Sequence, residues 1–124
     1  KSLKEKYGEE STVLYYGDIT VENRHNNVHA FQNDSNAQFF VGNPATAGRG
    51  LTLTAANTVI YFSNNFNLEE RVQSEDRAHR KGQTHRVNYV NLICDKTIDK
   101  FVLHALSNKL KISAQTLGED VLEI

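Results

Sequence analysis

The sequence predicts an α/β fold in three layers, a parallel sheet flanked by helices. Three observations carry this. Four short apolar or β-branched runs of strand length alternate with stretches of helical spacing. The runs are apolar at successive positions, as in strands covered on both faces. Strands that alternate with helices pair in parallel, because each crossover lays a helix against the sheet.

Taken in order, Ser2–Tyr7 reads as the closing turns of a helix with nothing before it, so the chain is expected to be cut from something longer. The first strand is expected at Thr12–Tyr16. Thr20 then stands where it can cap a helix whose Val21, Arg24, Val28 and Phe31 follow a 3-4-3 rhythm. Further strands are expected at Ala37–Val41, Thr58–Phe62 and Val87–Ile93. A polar helix opens near Asn67. The last helix is expected from Lys96 to Ile112, with Ile98, Phe101, Val102, Ala105, Leu106 and Leu110 as its apolar stripe. Residues 1–113 form one domain in this reading, and Ala114–Ile124 a loose tail.

A chain of 124 residues supports one hydrophobic core, and 39% hydrophobic with 23% charged residues is ordinary for a globular domain. No run approaches the roughly 20 apolar residues of a membrane span. The opening KSLKEKYGEE has no apolar stretch and is not a signal peptide. Cys94 is the single cysteine, which rules out an internal disulfide and suits an intracellular protein. At that strand end it is expected to be a small buried residue. The net charge of -1 excludes a protein that grips nucleic acid by bulk charge. Any DNA contact must be local.

Two segments stand where ligands bind in such sheets, beyond the carboxyl ends of strands. GNPATAGRGLTLTAANTVIYFS, Gly42 to Ser63, gathers Gly42, Gly48 and Gly50 at a strand end. Glycines there let backbone approach a ligand and turn N–H groups toward an anion, although a plain connecting loop has the same composition. It is not a P-loop. That motif has four residues between its glycines and then Lys-Ser or Lys-Thr, whereas five separate Gly42 from Gly48 and Arg49-Gly50 follows. The second segment, NLEERVQSEDRAHRKGQTHR, has only Leu68, Val72 and Ala78 as apolar members of its helical part. Helical spacing puts Gln73, Arg77 and Arg80 on one face and lets Asp76 pair with Arg80. That pattern fits a solvated helix laced with salt bridges, or a guanidinium grip on phosphate. His25 and His29 stand at i,i+4 without a third metal ligand, so no metal site is expected.

Together the two segments resemble the Swi/Snf family of the second helicase superfamily. Its motif V reads like STxAGGxGxNLTxAxxVI, and NPATAGRGLTLTAANTVI matches through Gly48, Gly50, Leu53, Thr54 and Ala55 to Ile60. Its motif VI reads like QAxDRAHRxGQ, and QSEDRAHRKGQ, Gln73 to Gln83, is a near-complete match. GDITVENRHNNVHAF upstream and VNLICDKTIDKFVLHAL downstream are similar to flanking stretches of the same lobe. The chain departs from the pattern at Pro44, Thr46, Ala47, Thr52 and Ser63. This variation reads as bacterial or phage.

The resemblance implies the second RecA-like lobe of an ATP-dependent DNA translocase or helicase, lacking its first strand. ATP with Mg²⁺ would lie between two lobes, with the P-loop and the Mg²⁺ ligands on the first. The motif VI arginines Arg80 and, in support, Arg77 would act as fingers on the γ-phosphate. Gln73 and Gly50 would line the cleft. Thr46, Ala47 and Gly48 of the motif V loop would meet the DNA backbone, with Arg24 a further phosphate contact. No GxxxxGK[ST] or DExH acid pair occurs in the chain, so it is expected to be inactive alone. Its partners would be the first lobe, duplex DNA and, through the incomplete sheet, a second copy of itself. A non-catalytic binding module and an RNA helicase lobe are the alternatives. RNA helicases usually show QRxGRxxR at motif VI, so QSEDRAHRKGQ favours the DNA-translocating branch.

Overall fold

In the computed structural model, which describes residues 1–47 and 50–117, helix α1 (Ser2–Tyr7) opens the chain. A single 3-10 turn, Glu9–Ser11, leads from it into strand β1 (Thr12–Tyr15). Helix α2 (Val21–Asn33) begins where the sequence places its cap, with Thr20 Oγ1 accepting from the Asn23 N–H at 3.3 Å. Strand β2 (Phe39–Gly42), the one-turn helix α3 (Pro44–Ala47), strand β3 (Thr58–Tyr61) and helix α4 (Leu68–Glu75) follow. Strand β4 (Asn88–Asn91) and helix α5 (Asp99–Leu117) complete the described chain.

The strands pair in parallel, as strand–helix alternation requires. Thr12 stands opposite Phe39 and Tyr15 opposite Gly42, with α2 as the crossover. Thr58 stands opposite Asn88 and Tyr61 opposite Asn91, with α4 as the crossover. Among the described residues the single sheet expected from the sequence is instead two sheets of two strands each. β2 and β3 share no ladder, and among the described residues no strand joins them.

Alternation along β2 shows how the first pair is covered. Successive strand side chains point to opposite faces. The Phe39 ring meets Tyr7 of α1 at 5.0 Å between centroids, and the Phe40 ring meets Phe31 of α2 at 5.4 Å. Helices thus lie on both faces of the β1–β2 pair, the three-layer arrangement that two-sided apolar strands imply. The β3–β4 pair differs. Tyr61 and Tyr89 face α4, whereas Ile60 and Val90, neighbours across the ladder, are exposed.

α5 is narrower and longer in its packing than its sequence pattern suggested. Its buried residues are Val102, Leu106, Leu110 and Ala114, a strict i,i+4 row, and α4 is the helix that packs against α5. Phe101 and Ile98, expected on the stripe, are exposed, because Ile98 precedes the helix and Phe101 lies about 100° away from Val102 around it. Ala114 to Leu117 belong to the helix, not to the expected tail, since Ala114 continues the buried row. Residues 118–124 lie outside the described residues. Cys94 is exposed, not buried. It sits beyond the end of β4, in a turn held by its own N–H donating to Asp99 Oδ2 at 2.8 Å. Among the described residues no helix is long and apolar enough to cross a membrane.

Candidate functional site

The loop after β2 begins with a close approach. A Cβ at Gly42 would sit 3.1 Å from a Phe40 ring carbon and 3.4 Å from both the Ala47 Cβ and the Tyr15 carbonyl, so the Phe40 ring would have to give by a few tenths of an ångström. Asn43 then organises α3. Its Oδ1 accepts from the Ala45 N–H at 3.0 Å, and its carbonyl accepts from the N–H groups of Thr46 and Ala47 at 3.0 and 2.8 Å. The amides of Thr46 and Ala47 are therefore already used, and Ala47 is buried. In this turn Ala45 is exposed, and the side chains of Pro44 and Thr46 are half-exposed. Gly48 lies outside the described residues. Gly50 is exposed with φ 76, a backbone state that side chains resist.

The polar segment after β3 begins as expected and then departs from expectation. Asn67 Oδ1 caps α4 by accepting from the Glu70 N–H at 3.2 Å. The helix ends at Glu75, so Arg77 and Arg80 do not share a helical face with Gln73. The cause lies in where the carbonyls go. Another helical turn would give the Gln73 carbonyl to the Arg77 N–H, but that carbonyl accepts from Arg77 Nε at 2.8 Å instead, and beyond it the Arg77 carbonyl accepts from the Leu53 N–H at 2.9 Å. The chain tightens into 3-10-type bonds, Arg77 to Ser74 and Ala78 to Glu75, both at 3.3 Å. The expected Asp76–Arg80 pair is absent. The i,i+4 ion pair of this helix is Arg71–Glu75, at 2.7 Å.

The two segments nevertheless meet. Arg80 is exposed, and its Nη1 donates to the Leu51 carbonyl at 2.7 Å, one residue from Gly50. Arg77 is half-buried and its Nε donates to the Gln73 carbonyl at 2.8 Å. Gln73 in turn donates to Glu69 at 2.8 Å. Gly50, Gln73, Arg77 and Arg80 are thus brought into one junction by short bonds. Arg24 stands apart, on the first turn of α2. Its guanidinium donates to the carbonyls of Ile19 and Gly17 at 2.8 and 3.1 Å and lies 5.8 Å from the Tyr15 ring centre.

Three residues that sequence reasoning passed over hold this junction in place. Arg71 is buried under β3 and β4 and donates to Asn64 and Asn91 at 2.6 and 2.7 Å, with its guanidinium 3.5 Å from the Tyr61 ring centre. Its i,i+4 spacing to Glu75 was the signal that could have found it. Gln83, from the turn after Arg80, reaches the carbonyls of Thr54, Ala56 and Ala78. Gln32 of α2 bonds Thr54 Oγ1 at 3.1 Å and the Ala55 N–H at 2.8 Å. Nothing in the sequence distinguishes Gln32 from a solvated glutamine, whereas Gln83 is the closing residue of the motif VI match.

The electrostatics follow from burial. Tyr89 donates to the Glu75 carbonyl at 3.0 Å, and desolvation, then the Glu75 charge, pushes its phenol up to about 12. Tyr61, 2.6 Å from Ser74 Oγ, is also raised by burial, against the opposing pull of that hydrogen bond and of Arg71. Both phenols are neutral scaffolding. Among the described residues no group of three or more His, Cys, Asp or Glu could hold a metal ion, and His25 and His29 are exposed.

Comparison with known proteins fits this geometry. Residues 1–82 of the 124 match the helicase conserved C-terminal domain. The chain belongs to that family. Its relatives include the chromatin-remodeling ATPase INO80 of Arabidopsis thaliana, 39% identical over 75% of this chain and 6% of that protein. The ATP-dependent helicase FUN30 of Saccharomyces cerevisiae is 35% identical over 86% of this chain and 10% of that protein. The helicase C-terminal domain described here thus spans about a tenth or less of the length of these two relatives. The crystal structure of the C-terminal part of the Fun30 ATPase domain superposes with TM-score 0.76 and 31% identity, over 98% of this chain and 37% of that one. These are Swi/Snf-type proteins, and the fold is their C-terminal RecA-like lobe. The relatives named are eukaryotic, which corrects the bacterial or phage reading of the motif V departures.

Proposed function

We propose that this helicase C-terminal domain is the second motor lobe of an ATP-dependent DNA translocase of Swi/Snf type, and that Arg80 is its arginine finger. The observation that carries the reading is the exposed Arg80 guanidinium, tied to the motif V segment at Leu51 beside Gly50. A guanidinium has five N–H donors. Among the described residues Arg80 commits one of its nitrogens, which leaves a planar cation suited to a polyphosphate. Such a residue fits ATP held by a facing lobe.

ATP supplies the phosphoryl bond that is broken, with Mg²⁺ neutralising its phosphates. This chain supplies cationic stabilisation from Arg80. Arg77, half-buried and fixed to the Gln73 carbonyl, holds the turn that presents Arg80. A preorganised finger of this kind contributes about 10³–10⁵ in rate. Thr46 and Arg24 are the DNA-facing groups of the proposal. With a net charge of -1 the grip on DNA is local, weak in this chain alone, and lost as salt rises.

The test uses the full-length gene product. Arg80→Ala should keep folding and DNA binding and lower ATP turnover by about 10³-fold or more, with nucleotide affinity falling much less. Arg80→Lys should not restore it, since an ammonium lacks the planar fork. Lys81→Ala, the exposed neighbour, should be mild. The 124-residue chain alone should release no phosphate with or without DNA. Wild-type turnover in Arg80→Ala, or DNA-stimulated turnover from the chain alone, overturns the proposal.

A further inference from the structure

The motif V segment and the motif VI turn are fastened at three points. The Leu53 N–H donates to the Arg77 carbonyl at 2.9 Å, and Arg80 donates to the Leu51 carbonyl at 2.7 Å. The third fastening is of a different kind. The Gln83 Nε2 stands 3.1 Å from the Thr54 carbonyl, 2.8 Å from that of Ala56 and 3.1 Å from that of Ala78. A primary amide has two N–H groups, so three carbonyls share two hydrogens, two of them on motif V and one between the arginines. The Gln83 oxygen is used as well, accepting from the His85 N–H at 3.0 Å. Gly82, with φ 101, makes the reversal that aims Gln83 back, and the Gln83 N–H closes that turn on the Arg80 carbonyl at 3.0 Å.

The same stretch of motif V is held from its other side. Gln32 of α2, whose first turn carries Arg24, bonds Thr54 and Ala55. Residues Thr54 to Ala56 are thus gripped between two glutamines, one leading to the DNA-facing helix and the other to the arginines. If motif V slid against the motif VI turn, partly buried carbonyls would lose their donors together, at about 1–3 kcal/mol for each group left unpaired. The pair therefore moves as a unit. We propose that Gln83 is a positioning residue that couples displacement of the motif V segment to the placement of Arg77 and Arg80. This rests on the reading of Arg80 as the finger.

The experiment compares ATP turnover with and without duplex DNA in the full-length gene product and its Gln83→Glu, Gln83→Met and Arg80→Ala variants. Gln83→Glu keeps the size, removes both N–H donors and sets a carboxylate against three carbonyls. Gln83→Met is the milder form, apolar and of similar length. The expected result is an unchanged KM for ATP with the ratio of DNA-stimulated to DNA-free turnover lowered about fivefold or more, the lower end of ordinary coupling between sites. Should Gln83→Glu not fold, Gln83→Met decides. An unchanged ratio in folded Gln83→Met overturns the inference, as does failure of both variants to fold, which would make Gln83 a purely structural residue. Wild-type turnover in Arg80→Ala overturns the finger assignment itself, and so separates the two failures.

Discussion

Arg71 and Arg80 show how position decides what a guanidinium does. The Arg71 side chain is 3% exposed and is surrounded by Glu75, Asn64, Asn91 and the face of Tyr61. One of its nitrogens, Nη2, has no hydrogen-bond partner although it is buried, so the stacked ring is part of its compensation. Removing such a cation leaves a carboxylate and two amide oxygens facing one another in a desolvated space. Arg71→Ala is expected to cost about 3–5 kcal/mol, measured by denaturant unfolding. Arg71→Lys should recover little, because a point charge cannot reach three partners in one plane. Arg80→Ala, at an exposed site, should cost under about 1 kcal/mol. If the two alanine variants unfold alike, the division between a structural and a chemical arginine is wrong. Charge pattern and spacing alone could not make that division. Both residues lie in one charged run, and only the path of the chain after Glu75 sends one inward and leaves the other out.

Helix starts were far more legible than helix ends. A start is written in a few adjacent residues: Thr20 and Asn67 accept from the N–H three positions on, at 3.3 and 3.2 Å. Replacing either cap with alanine should cost about 1 kcal/mol, and circular dichroism should report lost helix, most clearly for the eight-residue α4. An Asn67→Ala protein as stable as wild type would show that tertiary contacts alone hold α4. Ends depend on distant partners. Just past the end of α4 the Arg77 carbonyl turns to Leu53, far off in sequence, and no local pattern announces that bond. The strands were placed to within a few residues for the converse reason, since an apolar run is a local signal. That they would form two pairs was not local, and it was missed. Among the candidate residues, Gln73, Arg77 and Arg80 lie near Gly50 in one junction, while the shared helical face came from extending the period past Glu75.

At the scale of the molecule, the arrangement leaves much apolar surface and many strand edges open. Among the described residues each sheet has two strands, so each strand has one side without a ladder partner. Sheets this narrow depend on what covers their faces. α4 covers one face of the β3–β4 pair. The other carries Ile60 at 61% and Phe62 at 85% exposure, with Val90 and Leu92 alongside. α5 adds Phe101 at 73%. Exposed large apolar side chains on one sheet face are a site of association. A net charge of -1 opposes association only weakly. The 124-residue chain by itself is therefore expected to self-associate as concentration rises, and to melt at low temperature when kept dilute. Phe62→Lys separates the two sources of association. Phe62 is almost fully exposed, so the change should barely alter the fold, yet it sets a charge at the end of the open face, one residue past β3. Sedimentation should then shift toward the monomer. Association unchanged by Phe62→Lys would locate the contact at the strand edges instead, and a wild-type chain that stays monomeric with a high melting temperature would mean that neither the face nor the edges are as sticky as their chemistry implies.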